Sequence, residues 1–368
     1  MGFFQNIKLD NFRNFNSFET DLASRCNVLV GKNGSGKTNI LESISLFEKG
    51  RGLRKDNLKN LINYQNKDNK FIISSIFSND NKLINLNLFN QKNNNLYSKK
   101  ILINDDSSSE SLKHFQSLFS LIYFLPEMER IFLSSPSLRR NFFDRLIYNV
   151  DKNYITIINN YKKNIFERHN ALKNHNYDID WIKIIEKQIA DLAIKIYKKR
   201  IEGILIINSN LEKVKIIQNN SYNISFKLID DLIENNLDFK NDFLDKYIQK
   251  LANSRQYDVL VGGCKFGPHK SDINGFNIEN NFNINQYSTG QQKTILLLVI
   301  LAHCYYLINE IKISPIILFD EVCSHLDDEN RKLLLCMIEA LNIQILMTGT
   351  DKKLFSFLST NVTYYNIV

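Results

Sequence analysis

The sequence predicts an α/β fold in which one domain is split along the chain by a mainly helical insertion. An apolar run at residues 26–30 (CNVLV) is followed by a glycine-rich loop and then by apolar residues at helical spacing, which is the order strand, loop, helix. Residues 138–211 have a helical pattern, and strands and helices alternate again after residue 257. We therefore expect residues 1–105 and 257–368 to form the split domain, with residues 106–256 as the insertion.

The first part of the split domain is predicted to be rich in strands. Residues 3–9 alternate weakly between apolar and polar, as in a strand with one buried face. Residues 71–104 resemble short strands that are interrupted by turns rich in asparagine.

The insertion carries a short apolar stripe rather than a sustained coiled coil. Ile182, Ile185, Ile189, Leu192 and Ile196 follow a 3-4-3-4 spacing over two heptads only. We expect this stripe to be core. Residues 221–255 have a mixed pattern that predicts no particular element.

The last part of the chain predicts a helix after Gly290, a strand at 315–319, a helix after Asp327 and a strand at 343–347. The most apolar stretch, residues 295–308, contains His303 and is shorter than a bilayer span needs. It predicts a buried helix, so no membrane association is expected.

A phosphate-binding loop is predicted between the strand at 26–30 and the following helix. The pattern is G-x-x-x-x-G-K-[ST], in which glycines let backbone N–H groups converge on phosphate oxygens. The lysine supplies a point charge to the β- and γ-phosphates, and the last hydroxyl can coordinate Mg²⁺. The residues of this loop are Gly31, Lys32, Asn33, Gly34, Ser35, Gly36, Lys37 and Thr38.

Two acids end the apolar strand at 315–319. Asp320 is suited to hold Mg²⁺ together with Thr38, and Glu321 is a candidate catalytic residue that polarises the attacking water. Taken alone, this run could be an ordinary strand that enters a loop. Downstream of a phosphate-binding loop, it predicts the acidic half of an ATP- and Mg²⁺-binding site.

A third motif precedes that strand by about 25 residues. Ser288, Gly290 and Gln291 resemble the ABC signature S-G-G-Q, with Thr289 in the second position. The alternative is an ordinary helix cap at Ser288. Ser324 and Asp327 then resemble the ABC D-loop, and the order of the motifs favours the signature over the cap.

The resemblance to ABC ATPases implies an ABC-type P-loop head in which two protomers stack head to tail. Each ATP then lies between the loop of one protomer and the signature of the other. ABC ATPases usually have a switch histidine after the strand that follows the D-loop, whereas this chain has Thr348, Gly349, Thr350 and Asp351 there. We infer slow ATP hydrolysis that acts as a switch.

Seven segments carry a further resemblance: residues 9–15 (LDNFRNF), 38–42 (TNILE), 50–54 (GRGLR), 124–127 (FLPE), 137–144 (SLRRNFFD), 267–272 (GPHKSD) and 348–351 (TGTD). With these segments, the chain resembles the RecF family of the ABC class over nearly its whole length. This resemblance implies ATP-dependent binding to single-stranded, double-stranded or gapped DNA in recombinational repair and replication-fork maintenance. It also implies an ATP-dependent homodimer, and RecO and RecR as partners that help load RecA. It places Arg13 near the nucleotide and assigns no role to His269.

The charge is compatible with a nucleic-acid partner. The net charge is +8 and the isoelectric point is about 9.0, although the frequent Asn, Ile and Lys also suggest a codon bias. Arg51 and Arg54 are the candidate DNA contacts, with a solvated basic face as the alternative. Arg139 with Arg140 is a second basic pair, and residues 195–200 hold a lysine-rich cluster that we expect to be solvated.

Two other classes carry similar motifs. A transporter ATPase subunit would normally have the switch histidine and lack a helical insertion of this size. An SMC-like ATPase would need hundreds of residues of heptads, and only 249 residues separate Thr38 from Ser288. The five cysteines have no C-x-x-C spacing, so a reducing cytoplasm is the expected location.

Overall fold

The computed structural model describes residues 1–65, 70–80, 82–93, 96–174, 178–218, 222–233, 242–323, 327–358 and 362–368. They form two compact units, Met1–Glu129 with Thr289–Val368, and Arg130–Ser288. The strands are β1 (Gly2–Phe4), β2 (Asn6–Phe12), β3 (Phe15–Asp21), β4 (Cys26–Val30), β5 (Ile72–Asn79), β6 (Lys82–Asn93), β7 (Leu96–Ile103), β8 (Phe119–Phe124), β9 (Ile224–Ile229), β10 (Asp272–Asn277), β11 (Ser314–Phe319), β12 (Gln344–Gly349) and β13 (Val362–Asn366). The helices are α1 (Lys37–Ser45), α2 (Ser109–Ser117), α3 (Pro136–Val150), α4 (Tyr154–Leu172), α5 (Ile179–Gln218), α6 (Asp242–Val261), α7 (Thr289–Tyr306) and α8 (Asp328–Ala340).

A parallel sheet carries the predicted nucleotide motifs in the first unit. Its strand order is β13-β4-β12-β11-β8, and every adjacent pair is parallel. Strands β4 and β12 are buried along their whole length, which explains the apolar runs at 28–30 and 345–347 within them. Because the strands are parallel, the loops that follow β4, β11 and β12 emerge at the same edge of the sheet.

An antiparallel sheet with the order β3-β2-β5-β6-β7 belongs to the same unit, and β1 also pairs with β5. One core cluster contains residues of both sheets and of α1, such as Leu9, Ile40 and Leu318. The buried Gln344 side chain accepts a hydrogen bond from the Phe4 N–H at 2.9 Å and donates one to the Phe4 carbonyl at 2.8 Å. The Gln344 amide thus provides hydrogen-bond partners inside the core for the backbone N–H and carbonyl of Phe4 in β1, an edge strand.

Helix α7 is the apolar helix predicted at 295–308, and its residues from 292 to 304 are buried. The helical segment continues to Ile311 and, at 23 residues, is long and apolar enough to cross a membrane. Our prediction that it is too short is therefore wrong. Burial identifies it as a core helix instead, since 67% of its most apolar 18-residue stretch lies inside the protein.

The second unit is mainly helical. Helices α4 and α5 pack against each other, α6 and β9 pack on α5, and β9 pairs with β10 in the antiparallel sense. Ile182, Ile185, Ile189 and Ile196 of the predicted stripe are buried, so their assignment to the core is confirmed.

The boundaries of the two units differ from the predicted domain boundaries. The second unit spans Arg130–Ser288, whereas the predicted insertion spans 106–256. Strand β8 belongs to the first unit because it pairs with β11, about 190 residues later in the chain. Strand β10 belongs to the second unit because it pairs with β9. Sequence pattern does not reveal such distant pairings.

Several predicted basic residues are buried structural residues of the second unit. Arg200 is 4% exposed and binds the two Asp144 carboxylate oxygens at 2.8 Å each. Arg139 is 8% exposed and binds both Asp272 oxygens, at 2.8 and 2.6 Å. Because these guanidiniums are committed to paired carboxylates, we withdraw Arg139 as a DNA contact and Arg200 as part of a solvated cluster.

His269 is partly buried in the second unit and has a structural role. Tyr161 Oη lies 2.7 Å from its Nδ1, and Nε2 lies 2.9 Å from the Cys264 carbonyl. A carbonyl can only accept, so Nε2 donates and Nδ1 accepts from the tyrosine. Both bonds thus suit the neutral imidazole, and burial lowers the pKa of His269 to about 4.

This shift predicts a loss of stability in mild acid. Because the folded pKa lies below the unfolded value of about 6.5, the unfolded chain binds more protons as the pH falls from 6.5 towards 4. Between about pH 7.5 and pH 5, His269 should remove about 2 kcal/mol of the free energy of unfolding. Urea unfolding at both pH values gives the free energy of unfolding of the wild type and of His269→Gln. The difference between the two proteins isolates the contribution of His269, because the contributions of the carboxylates cancel.

The exposed His114 provides the matched control. His114→Gln should keep the full pH dependence of the wild type. A variant His269→Gln with that same dependence would contradict the assignment.

Candidate nucleotide-binding site

The predicted phosphate-binding loop connects β4 to α1 and is shaped by its glycines. Gly36, at the N-terminus of α1, has a φ of +103°, which L residues rarely adopt. A Cβ atom on Gly31 would lie 2.3 Å from the Ile367 carbonyl oxygen, so no side chain fits there. The loop therefore brings bare backbone to the N-terminus of a helix, where N–H groups and the helix dipole favour an anion.

Lys37 lies within this loop. Its side chain is nearly buried, and Nζ donates to the carbonyls of Gly31 and Lys32 at 2.8 Å each. These bonds hold the ammonium against the loop backbone, the position from which it can reach a phosphate that the loop encloses.

The Asp320 carboxylate joins three segments of the site. Its Oδ1 accepts a hydrogen bond from Thr38 Oγ1 at 2.9 Å and another from Thr348 Oγ1 at 2.7 Å. Thr38 lies in the first turn of α1, Asp320 follows β11, and Thr348 lies in β12. The structure thus brings together two residues that the sequence predicts as metal ligands, Thr38 and Asp320, over a separation of 282 positions.

The sequence pattern did not predict that Thr348 contributes to this site. Its Oγ1 donates to Asp320 and also accepts from the Glu321 backbone N–H at 2.9 Å. This hydroxyl orients both acids at the end of β11. The only sequence signal is its position in the segment where the ABC pattern has its switch histidine.

Glu321 has the backbone conformation of a residue under constraint. Its φ is +52°, in the left-handed region that a glutamate rarely adopts. Among the residues that the structure describes, no hydrogen bond or ion pair holds its carboxylate. A constrained backbone with a disengaged carboxylate fits a group that acts on a ligand or a water.

The residues present fit a Mg²⁺ ion. A hydroxyl and a carboxylate whose oxygens lie 2.9 Å apart are hard oxygen donors, as this ion requires. The described residues contain no group of three or more His, Cys, Asp or Glu side chains that could hold a metal by themselves. Mg²⁺ normally takes one or two protein ligands and completes its shell with phosphate and water oxygens.

The predicted signature and D-loop are neighbours. A Cβ atom on Gly290 would lie 3.2 Å from Asp327 Oδ2, and Asp327 caps α8 through a bond from the Asn330 N–H at 2.8 Å. Ser288 and Gln291 are exposed at the start of α7. Ser324 lies outside the described residues, so its part in the D-loop stays a prediction.

Arg13 braces the site from the turn between β2 and β3. Its guanidinium binds the two carboxylate oxygens of the buried Glu42 at 2.8 and 2.7 Å, and Nη2 lies 3.0 Å from Asp56. Glu42 lies on α1, so this bidentate pair ties the turn to the helix that begins at the phosphate loop. These bonds give Arg13 a bracing role.

The predicted DNA contacts follow α1. Arg51 is exposed, and Arg54 is 43% exposed with Nη1 bonded to Asn39 Oδ1 at 2.9 Å. The turn before them is fixed by Lys99, whose ammonium donates to the carbonyls of Leu46, Glu48 and Gly50 at 2.5 to 3.0 Å. Burial lowers the pKa of Lys99 to about 8, opposed by the nearby Glu48.

This fold and these motifs define an ABC-type ATPase head with a helical second unit. The family described as RecF/RecN/SMC N terminal domain matches residues 3–367. The chain is 33% identical over 350 residues to the DNA replication and repair protein RecF of Rickettsia prowazekii, covering 95% of this chain and 94% of that protein. It is 32% identical over 354 residues to RecF of Rickettsia felis, covering 95% and 93%. The chain belongs to the RecF family.

Solved structures agree with this assignment. The recombination mediator protein RecF-ATPrS in the RecFOR pathway superposes with a TM-score of 0.82 and 25% identity, over 99% of this chain and 96% of that one. An SMC head bound to the C-winged helix domain of ScpA gives a TM-score of 0.54 at 16% identity, over 100% and 94%. The second match shows the shared fold alone.

The geometry predicts that Thr348 positions the two acids through its hydroxyl. Thr348→Val keeps the shape of the side chain but removes both hydrogen bonds, so Mg²⁺-dependent nucleotide hydrolysis should fall about 10- to 100-fold. Thr348→Ser keeps the hydroxyl and should stay within about threefold of the wild type. Steady-state phosphate release measures both, and equal rates in the two variants would exclude this role.

Proposed function

We propose that this chain is an ATP-dependent DNA-binding protein of recombinational repair and replication-fork maintenance. The observation that carries the proposal is the convergence of Thr38, Asp320 and Thr348 beside a phosphate-binding loop. Family membership supplies the biological process, since the relatives are DNA replication and repair proteins.

In the proposed mechanism, the loop backbone from Gly31 to Gly36 encloses the phosphates and Lys37 neutralises the β- and γ-phosphates. Thr38 and Asp320 would hold Mg²⁺, and the bound ion would supply positive charge to neutralise the charge that develops on the phosphates. Glu321 accepts a proton from the attacking water. Its unusual φ of +52° and the Thr348 bond to its N–H fix the backbone from which the carboxylate extends.

The second half of the ATP site is proposed to come from another copy of the chain. Ser288, Gly290 and Gln291 would meet the γ-phosphate bound by the partner's loop, and ATP would thereby close a homodimer. The exposure of Ser288 and Gln291 and the N-terminus of α7 beside them support this assignment. Asp327 packs against Gly290 and would shape the same surface.

DNA binding is assigned to the head surface after α1. Arg51 and Arg54 are exposed cations on a chain of net charge +8, as phosphate contacts require. We propose single-stranded, double-stranded and gapped DNA as ligands. Hydrolysis would reopen the dimer and release the DNA, while RecO and RecR would act as partners in loading RecA. This work would take place in the cytoplasm.

The proposal predicts that ATP and Mg²⁺ strengthen DNA binding. Fluorescence anisotropy with duplex, single-stranded and gapped oligonucleotides should show tighter binding with ATP for the wild type. Lys37→Ala removes the ammonium at the phosphates and should abolish the ATP effect while leaving the fold intact. Binding of Lys37→Ala that ATP still enhances would refute the assignment of the phosphate loop.

A composite ATP site predicts complementation between two inactive variants. Ser288→Arg should still bind one ATP per monomer but fail to dimerise, because an arginine stem cannot fit where groups must approach to about 3 Å. Mixed with Lys37→Ala, it can form one intact site from two chains. Analytical ultracentrifugation with ATP and Mg²⁺ should therefore detect dimer in the mixture and monomer in each variant alone.

Glu321→Gln provides the positive control for this experiment. It keeps the shape of the side chain but loses the base, so it should accumulate dimer with ATP. If Ser288→Arg alone dimerises as well as the wild type, Ser288 is a helix cap and the composite site is wrong.

A further inference from the structure

Three hydrogen bonds form a continuous chain from a predicted DNA contact to the phosphate loop. Arg54 Nη1 donates to Asn39 Oδ1 at 2.9 Å, and Asn39 Nδ2 donates to Asn14 Oδ1 at 2.7 Å. Asn14 Nδ2 then donates to the Ser35 carbonyl at 3.2 Å. We call Arg54, Asn39 and Asn14 the relay.

All donors of the relay point the same way, from the guanidinium towards the loop. Each amide that accepts a bond at its oxygen becomes a better donor at its nitrogen, so the bonds polarise one another. The last acceptor is the Ser35 carbonyl, whose peptide unit carries the N–H of Gly36. A bond to that carbonyl strengthens the Gly36 N–H as a donor for phosphate.

The Asn14 end of the relay is fixed by packing. A Cβ atom on Gly36 would lie 2.7 and 2.8 Å from the two terminal atoms of Asn14, so the amide lies directly against the loop backbone. The turn that carries Asn14 is also held to α1 by the bidentate pair of Arg13 and Glu42. A shift of Asn14 therefore moves or releases the loop.

The Arg54 end faces solvent. Its side chain is 43% exposed, and its Nη1 lies 3.7 Å from Glu42 Oε2 in addition to its bond to Asn39. A guanidinium has five N–H donors, so a DNA phosphate can bind the exposed ones while Nη1 keeps Asn39.

We propose that the relay couples DNA binding to ATP binding: a DNA phosphate on the exposed Arg54 holds this side chain on Asn39, and the relay bonds then keep Asn14 against the phosphate loop in its ATP-binding shape. This inference rests on the proposed function and specifies how its two ligands communicate. Either ligand immobilises the same side chains, so the second ligand binds to a protein that is already ordered. The coupling is positive and reciprocal.

The test is the ratio of ATP dissociation constants without and with saturating duplex DNA, measured by fluorescent-nucleotide titration. The wild type should bind ATP at least about fivefold more tightly with DNA. Asn39→Asp keeps the acceptor for Arg54 but loses the donor to Asn14, so this ratio should fall to about one. Asn39→Ala removes both bonds without adding charge and should give the same ratio.

Arg51→Ala is the matched control, because Arg51 is a neighbouring exposed cation outside the relay. It should weaken DNA binding yet keep the wild-type ratio once DNA is saturating. Without DNA, ATP affinity should fall in both Asn39 variants by less than the wild-type ratio, because no DNA phosphate then holds the exposed end of the relay.

The outcomes separate the relay from the proposed function. If DNA leaves the ATP dissociation constant of the wild type unchanged, both the relay and the proposed function are refuted. A wild-type ratio that persists in both Asn39 variants refutes the relay alone, as does a ratio that Arg51→Ala abolishes at saturating DNA. Loss of ATP binding without DNA in both Asn39 variants also refutes it, since these side chains would then build the loop rather than couple it.

Discussion

The candidate site depends on one carboxylate oxygen. Asp320 Oδ1 accepts from Thr38 at 2.9 Å and from Thr348 at 2.7 Å, and so joins the first helix, the strand β11 and the strand β12. Asp320 is 7% exposed, and a buried carboxylate needs such donors to replace the hydrogen bonds that it would make with water. The parallel sheet makes this arrangement possible, because β4, β11 and β12 all end at the same edge of the sheet.

A second layer of polar contacts holds the phosphate loop from its outer side. Glu42 anchors Arg13 by two short bonds and lies 3.7 Å from Arg54, so one buried carboxylate on α1 organises two arginines. Asn14 lies between this group and the loop. The residues that enclose the phosphate site are thus connected to the surface on which DNA is proposed to bind, within one compact unit.

Local sequence was sufficient to predict the elements that form through interactions between residues near each other in the chain. The glycine pattern at 31–36 and the apolar runs at 26–30 and 315–319 predicted the loop and the two strands that flank β12, and the spacing from Ile182 to Ile196 predicted a core stripe. Thr348 and Asn14 could not be predicted, because a hydroxyl or an amide has no periodic signature and acquires its role only from a partner far along the chain. Arg139 and Arg200 were misjudged for the same reason. Their charge is visible in the sequence, but the carboxylates that bury them are 133 and 56 positions away.

The central claim is that Asp320 and Thr38 form the protein half of a Mg²⁺–ATP site. Calorimetric titration with ATP, with and without Mg²⁺, on the wild type and Asp320→Asn tests it most directly. Asparagine keeps the shape of the side chain but removes the charge that attracts the ion. Mg²⁺ should tighten ATP binding to the wild type by about tenfold or more, and have little effect on Asp320→Asn. An undiminished Mg²⁺ dependence in Asp320→Asn would contradict this account of the site.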